Sequence, residues 1–497
     1  MDLPQQDALN TQVFERARLS RDARFDGRFF VAVSTTGIYC RPICPANPPR
    51  SENVRFFPTA AAAAEAGYRP CLRCRPETAP GTPAWGGTST TVRRGLRLIA
   101  NGALDGGNVE QLAERLGVTS RHLRRLFNKH LGASPLAVAH TQRLHFAKRL
   151  IDDSDLPLSA VAEAAGYGSV RRFNDAFRNS YGRPPSMLRR VREGRRSAEP
   201  SDSAPLTVTV PYRKPFDWPA MLRYFAARAT PGVEVVAGDV YRRSIHIDGS
   251  AGVLEVKPAA QREALRLTLH GVATAHLFPV VQIAREMLDV DAPVEEIAAT
   301  LEHDDLLCRR LKSAPGIRVP GAWDGFELAV RTILGQQVSV AGATTQAGKL
   351  ARAYGAPLEG TPGKDANWPR LVFPTPQRLA TARIERCGII SSRATAIRSL
   401  ARSVLAGEIR FDIAQDPETF RQDIQSIKGI GAWTAEYLAM RVLKDPDAFP
   451  ATDLGLRQAL ESSGDVTPAA VRDRAEPWRP WRAYAAMLLW QPAEMRA

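Results

Sequence analysis

Between residues 109 and 135 the chain reads VEQLAERLGVTSRHLRRLFNKHLGASP, with apolar Leu112, Leu116, Leu123, Leu126 and Phe127 at helical spacing around a break at Gly117. That period predicts two short helices, with Thr119 or Ser120 placed to cap the second. About fifty residues on, SAVAEAAGYGSVRRFNDAFRNSYGRPP (159–185) repeats the pattern, with Gly166 at the turn and Phe173 and Phe177 as core anchors. The period shortens to two in VEVVAGDVYRRSIHID, LEVKP and ALRLTLH, which predicts strands, and helix after helix follows to the last residue. TAAAAAEAG (59–67) reads as a short helix closed by its glycine. Two stretches rich in Pro, Gly, Ser and Thr, PETAPGTPAWGGTSTT (76–91) and REGRRSAEPSDSAP (192–205), read as linkers and cut the chain into three blocks.

A length of 497 residues agrees with several cores. The 44% hydrophobic and 24% charged fractions are those of ordinary globular protein, and no apolar run is long enough to span a bilayer. The opening MDLPQQDALN lacks a basic-then-apolar leader pattern, so a cytoplasmic protein with no membrane partner is expected. Net charge is +15, and residues 91–197 hold 20 Lys and Arg against 9 Asp and Glu, so most of the surplus lies in the middle block. Such a footprint suits a polyanion, although a solvated basic face would account for it were no recognition motif present.

With six cysteines in so long a chain, a disulfide framework is not expected. Four of them form two clips, Cys40 with Cys44 in TGIYCRPIC and Cys71 with Cys74 in RPCLRCRP, a pattern suited to one tetrahedral Zn2+. Such a site can be a structural staple or hold a reactive thiol. Arg41, Arg50, Arg55, Arg69, Arg73 and Arg75 surround the clips and favour a thiolate that faces DNA phosphate. Cys308 and Cys387 lie apart and read as buried small residues.

FDGRFFVAVSTTGIYCRPICPANPPRSENVRFFPTAAAAAEAGYRPCLRCRPE (25–77) closely resembles the amino-terminal domain of the Ada methylation-response family, cysteine spacing included. The resemblance implies that Cys40 is both zinc ligand and sacrificial acceptor of a methyl group from a methylated DNA phosphate, with Cys44, Cys71 and Cys74 as the other ligands. Methylating one of four thiolates removes a negative charge, so affinity for DNA is expected to rise with the damage signal.

The two repeated helix pairs have helix-turn-helix shape and together resemble the AraC-type DNA-binding domain, whose two units enter successive major grooves. The second helix of each, about 120–129 and 169–179, is then the reader. Arg121, His122, Arg124, Arg125, Arg171, Arg172 and Asn174 are candidates for base or phosphate contact, and phosphate attraction is the default reading for any single arginine.

In SIKGIGAWTAEYLAMR (426–441) a Gly-x-Gly turn between helical segments lets backbone amides approach a phosphate. FPATDLGLRQAL follows, and WRPWRAYAAMLLW lies near the end. The combination, from PYRKPFDWPAMLRYFAARATPGVE onwards, resembles the AlkA-type helix-hairpin-helix DNA glycosylases. The resemblance implies that Asp453 is the essential carboxylate and that Trp433, Tyr437 and Trp490 line the pocket for the flipped base. It also implies that Ile427 to Gly431, with Gly429 and Gly431, form a DNA-gripping hairpin with a bound alkali cation. An isolated Asp at a helix start is more often an N-cap, and an isolated Trp more often core. Trp433 stands where bifunctional relatives carry a catalytic lysine, which implies hydrolysis without strand cleavage. Gln337 stands where the family's inserting wedge can be an apolar Leu.

The expected fold class is multidomain α+β: a small zinc-bound α/β domain (1–80), an all-α double helix-turn-helix domain (88–196), an α/β subdomain (205–290), and a mostly α helix-hairpin-helix glycosylase (291–497). The expected function joins methyl-phosphotriester receptor, transcriptional activator and monofunctional glycosylase for bases such as 3-methyladenine. Double-stranded and alkylated DNA, and RNA polymerase at target promoters, are the expected partners. A regulator with an inactive glycosylase fold, and a glycosylase with tethering modules, are the alternatives. The Pro-Cys-His-Arg motif of O6-methylguanine methyltransferases is absent, so that activity is not expected.

Overall fold

The computed structural model describes residues 5–79, 90–154, 156–189, 205–247, 249–260, 262–360, 363, 366–412, 415–460 and 467–491. The chain folds as two compact units, Met1–Arg213 with Ala273–Gln282, and Lys214–Val272 with Ile283–Ala497. The multidomain α+β class holds, with most described residues helical. Most of both linker stretches lies outside the described residues.

After the helix Gln5–Ser20, the first unit forms a four-stranded sheet in the order Val54–Phe57, Phe30–Val33, Ile38–Cys40, Arg69–Pro70. The strand Phe30–Val33 is buried along its whole length because both faces are covered. Phe30 and Ala32 pack with Tyr39, Ala60 and Ala63, whereas Phe29 and Val31 pack with Ala17. The alanine run forms the helix Ala60–Glu65, and Thr59 caps it by accepting from the Ala62 amide at 3.0 Å. Alanine suits this place because helix and sheet approach closely, and Ala60 to Ala63 are all buried.

Helices Val109–Arg115 and Ser120–Leu131, then Leu158–Ala164 and Val170–Tyr181, form the two helix-turn-helix pairs on either side of the long helix Pro135–Asp153. Each turn carries a glycine at positive φ, Gly117 at 69° and Gly166 at 73°, a conformation other residues adopt at a cost. Thr119 and Ser169 cap the second helices, so these begin at Ser120 and Val170 and run two residues beyond the expected ends. Leu123, Phe127, Phe173 and Phe177 are fully buried anchors.

The second unit contains an antiparallel meander of Glu234–Ala237, Val240–Ile247, Ser250–Pro258 and Ala264–His270, the segment where period-two alternation predicts strands. A helical bundle follows, with one continuous core that includes Ile333, Leu350, Leu438 and Trp478. Within it, helices Pro417–Gln425 and Ala432–Arg441 enclose the turn 426–431, whose Ile427 and Ile430 are buried while Lys428 and Gly429 face outwards. Two buried isoleucines anchor the turn to the core, so its glycines are held at the surface.

Candidate functional site

Each unit carries one chemical centre. In the first, parallel pairing of Ile38 with Arg69 and Tyr39 with Pro70 brings Cys40 beside Cys71, and the Cys71 amide donates to the Tyr39 carbonyl at 2.9 Å. Tight turns follow both, with Cys44 N–H on the Arg41 carbonyl and Arg75 N–H on the Cys71 carbonyl. The four sulfurs lie within 4.8 Å of one another. Hydrogen bonding among them pushes the Cys40 and Cys74 thiols up and the Cys71 thiol down, the proton sharing forced on crowded thiols. The donor set fits Zn2+, a soft-tolerant tetrahedral ion, and the Arg41 amide at 3.3 Å from Cys74 Sγ is a supporting N–H donor. Cys40 and Cys44 are half-buried, and Cys71 and Cys74 are buried, so solvent reaches the first clip.

The surrounding arginines divide into two kinds. Arg41 is not presented to a phosphate: it binds Asp26 and donates to Thr78 Oγ1 at 2.8 Å and to the Cys74 carbonyl at 3.2 Å. Arg75 is likewise occupied, by Asp152 at 2.8 Å and Glu77 at 3.2 Å. Arg50, Arg55, Arg69 and Arg73 are exposed. Residue type and spacing do not tell an arginine that holds the fold from one that faces outwards.

The thiol block is fastened to the helix-turn-helix block. Tyr39, next to Cys40, shares a hydrogen bond of 2.9 Å with His145 Nε2, and Thr59 Oγ1 donates to the Leu131 carbonyl at 2.9 Å. Lys148 joins Asp152 at 2.5 Å and Glu77 at 3.6 Å. Buried ion networks of this kind add little net stability but fix register, because any slip strands a charge. On the reader helices Arg121, Arg124, Arg125, Arg171 and Arg172 are all exposed, while His122 and Asn174 are half-buried. Arg124 is paired with Glu110 at 3.0 Å, and Arg125 with His122 Nδ1 at 3.0 Å.

In the second unit a cavity of about 930 Å³ opens beside the hairpin turn. Asp453 lies on its wall, and both carboxylate oxygens are gripped: Trp433 Nε1 donates to Oδ2 and Trp490 Nε1 to Oδ1, each at 2.8 Å. The Leu456 amide adds a third bond at 2.9 Å, so Asp453 also caps the helix Leu454–Leu460. The N-cap expected of an isolated aspartate is thus present in the side chain that the resemblance makes the essential carboxylate. Trp433 and Tyr437, one turn apart on Ala432–Arg441, stack at 5.4 Å and 13°, and Tyr437 meets Trp490 at 6.2 Å. Aromatic faces of this kind attract a cationic base, and a carboxylate beside them stabilises positive charge on a sugar.

Gly429 has φ of 98°, and a Cβ there would press on Ala396 at 3.1 Å, whereas one at Gly431 would meet open space. Gln337 is exposed with φ of 56°, a conformation that sets a non-glycine side chain outwards at some cost. Its neighbour Gln336 donates to the Gly429 carbonyl at 2.9 Å and to Thr434 Oγ1 at 3.2 Å, tying that loop to the hairpin. Sequence reasoning missed Gln336, and also Tyr224, Arg228 and Arg441, which line the far side of the cavity. No local motif marks them; the signal is only the i, i+4 spacing of Tyr224 with Arg228 and of Tyr437 with Arg441. Cys308 and Cys387, expected as buried, are half-buried. Among the described residues no helix is long and apolar enough to cross a membrane.

Four family descriptions match the sequence: "Metal binding domain of Ada" over 14–77, "Helix-turn-helix domain" over 112–191, "AlkA N-terminal domain" over 207–324, and "HhH-GPD superfamily base excision DNA repair protein" over 330–480. A Mycobacterium tuberculosis protein named "Probable bifunctional transcriptional activator/DNA repair enzyme AlkA" is 40% identical over 480 residues, covering 96% of each chain. "DNA-3-methyladenine glycosylase 2" of Escherichia coli is 36% identical over 286 residues, 57% of this chain and 96% of that relative. Among solved structures, the 3-methyladenine DNA-glycosylase from Archaeoglobus fulgidus matches 57% of this chain and 97% of its own at a TM-score of 0.50 and 23% identity, a likeness of fold.

Proposed function

The chain belongs to the family of bifunctional transcriptional activator/DNA repair enzymes of AlkA type, and from that premise we propose a damage-responsive protein in which one chain receives methyl groups and excises bases. The observation that carries the enzymatic half is the Asp453 carboxylate, held by two indole donors at the wall of an aromatic cavity beside a hairpin turn.

A nucleotide flipped out of duplex DNA enters the cavity, and its base lies among Trp433, Tyr437 and Trp490. Gln337 fills the gap left in the stack, and the outward-facing amides at Gly429 and Gly431 hold the backbone. An alkali cation, if bound, would be held by the turn Ile427 to Gly431 and would supply positive charge towards the DNA backbone. The C1′–N bond breaks with its electron pair going to the base. Asp453 stabilises the cationic sugar, water adds to C1′, and its proton is released. An alkylated purine leaves easily because it departs uncharged. The DNA strand stays intact, since Trp433 offers no amine for a Schiff base.

In the other half, Cys40 Sγ attacks the methyl carbon of a methylphosphotriester, and the bond from methyl to phosphate oxygen breaks to leave an ordinary diester. Cys40, Cys44, Cys71 and Cys74 would hold Zn2+, which would keep the sulfurs deprotonated at neutral pH. The loss of one negative charge then strengthens DNA binding by the reader helices, where Arg121, Arg124, Arg125, Arg171 and Arg172 meet phosphates or bases. The bound protein recruits RNA polymerase at target promoters in the cytoplasm. Incubation with methylated duplex DNA, followed by peptide mass and chromatography of free bases, tests both halves. One methyl on Cys40 and release of 3-methyladenine are expected; an unmodified Cys40 leaves a zinc staple and a tethered enzyme, and a borohydride-trapped adduct would refute hydrolysis without strand cleavage.

A further inference from the structure

Asp453 relies on Trp490 for one bond to Oδ1, and Trp490 stands at the edge of its element. It is the C-cap of the helix Arg482–Leu489, and Gln491 is the last described residue beyond it. A helix leaves its final carbonyls without partners inside itself, and such an end frays unless something binds them. One side chain does so here. Arg310, on the helix Asp305–Ser313, donates from Nη1 to the carbonyls of Leu488 at 2.8 Å, Leu489 at 3.2 Å and Gln491 at 3.1 Å. The backbone is therefore held on both sides of Trp490, and the cation also suits the negative pole of the helix. Arg310 itself is not part of the cavity lining among the described residues.

The other side of Trp490 is set by the lack of a side chain. Gly455, the second residue of the helix Leu454–Leu460, lies on the cavity wall. A Cβ there would lie 3.1 Å from Asp453 Oδ1 and 3.4 Å from Trp490 Cδ1. Those contacts fall on the two partners of a single hydrogen bond, Trp490 Nε1 to Asp453 Oδ1 at 2.8 Å. Gly455 is not among the glycines at positive φ, so space and not backbone conformation is what asks for glycine at this place.

We propose that Arg310 and Gly455 are positioning residues of the base-excision centre: Arg310 fixes the backbone of Trp490, and the missing side chain at 455 lets the indole reach the carboxylate. This rests on the glycosylase reading of the cavity. Neither residue offers a side chain to the flipped base. They act on where the charge of Asp453 sits. With the Trp490 N–H displaced, Oδ1 is left with the Leu456 amide and Oδ2 with Trp433, and the carboxylate can turn between them. A charge that has to face a developing cationic sugar loses effect when it turns, because its value lies in being held in place beforehand.

The test is single-turnover release of 3-methyladenine from methylated duplex DNA by the full chain. Arg310→Met, which keeps the apolar stem and removes the donors, is expected to slow release about 10-fold, the scale of one hydrogen bond to a charged group, with affinity for the same DNA unchanged. Arg310→Lys keeps a cationic donor and should retain most of the rate. In a Trp490→Phe background, where the N–H is already gone, Arg310→Met should slow release no further, because both changes remove the same contact. Gly455→Ala should also slow release about 10-fold, without lowering the melting temperature, since alanine favours a helix. Losses that multiply in the double variant would overturn the proposal and leave Arg310 a helix cap alone. Should Arg310→Met not fold, Gly455→Ala decides the matter, and a wild-type rate in that variant would overturn the proposal equally. Absence of 3-methyladenine release by the unaltered chain would instead sink the glycosylase reading itself.

Discussion

The two candidate centres are built over very different spans of chain. The four sulfurs come from residues 40–74, joined by one parallel strand pairing and two tight turns, whereas the cavity gathers Tyr224, Gln336, Tyr437, Asp453 and Trp490 from across residues 224–490. They also handle charge in different ways. The sulfurs concentrate negative charge that a metal must balance, while the cavity sets the Asp453 carboxylate under two indole donors and lines its wall with Arg228 and Arg441 as well. A centre made from neighbours depends on spacing; a centre made from distant elements depends on the whole core being packed.

Substitution of Cys40 and of Asp453 should separate the centres most sharply. Cys40→Ser is expected to abolish methyl uptake, seen as the absence of a methylated peptide, while free-base release continues. Retained uptake would move the acceptor to another sulfur. The reciprocal change, Asp453→Asn, keeps the side chain's size but removes the charge and leaves one oxygen where two indoles donate, and base release should fall by about 10³-fold, as for the loss of a preorganised electrostatic contact. Methyl uptake by that variant should persist; its loss would mean that the centres are not independent.

Smaller effects probe how each centre is supported. Burial first, then Arg149, Lys148 and His140, push the His145 imidazole beside Tyr39 down to about 3. A histidine depressed in the folded state stabilises nothing by charging. Stability is therefore full above the ordinary histidine value of about 6.5 and is lost as pH falls from there towards 3, at up to about 1.4 kcal/mol per pH unit. Thermal melts of the first unit's transition from pH 7 to 4 should show this slope, and His145→Gln should flatten it. Smallest of all, Arg171→Ala on an exposed reader helix is expected to lower the salt slope of DNA binding by about 1 without changing sequence preference, as for one phosphate contact. A change in preference would make Arg171 a base reader instead.

The thiol clips, both helix-turn-helix pairs, the strand meander and the hairpin turn were legible along the chain because each is a local pattern: ligand spacing, a 3.6 or 2.0 period, a glycine at a forced turn. Gly117 and Gly166 announce their turns, and Thr119 its cap, through atoms no more than a few residues away. Asp453, Trp433 and Trp490 were visible through resemblance, but that both indoles grip one carboxylate was not. Nor could spacing separate Arg41 and Arg75, which hold the fold, from Arg69 and Arg73, which face outwards. What the order of residues determined by itself was each element and its chemistry. Which side chains would share a hydrogen bond, and so the cationic floor of Tyr224, Arg228, Tyr437 and Arg441, was decided only when the core closed, because burial brings together groups that no local period relates.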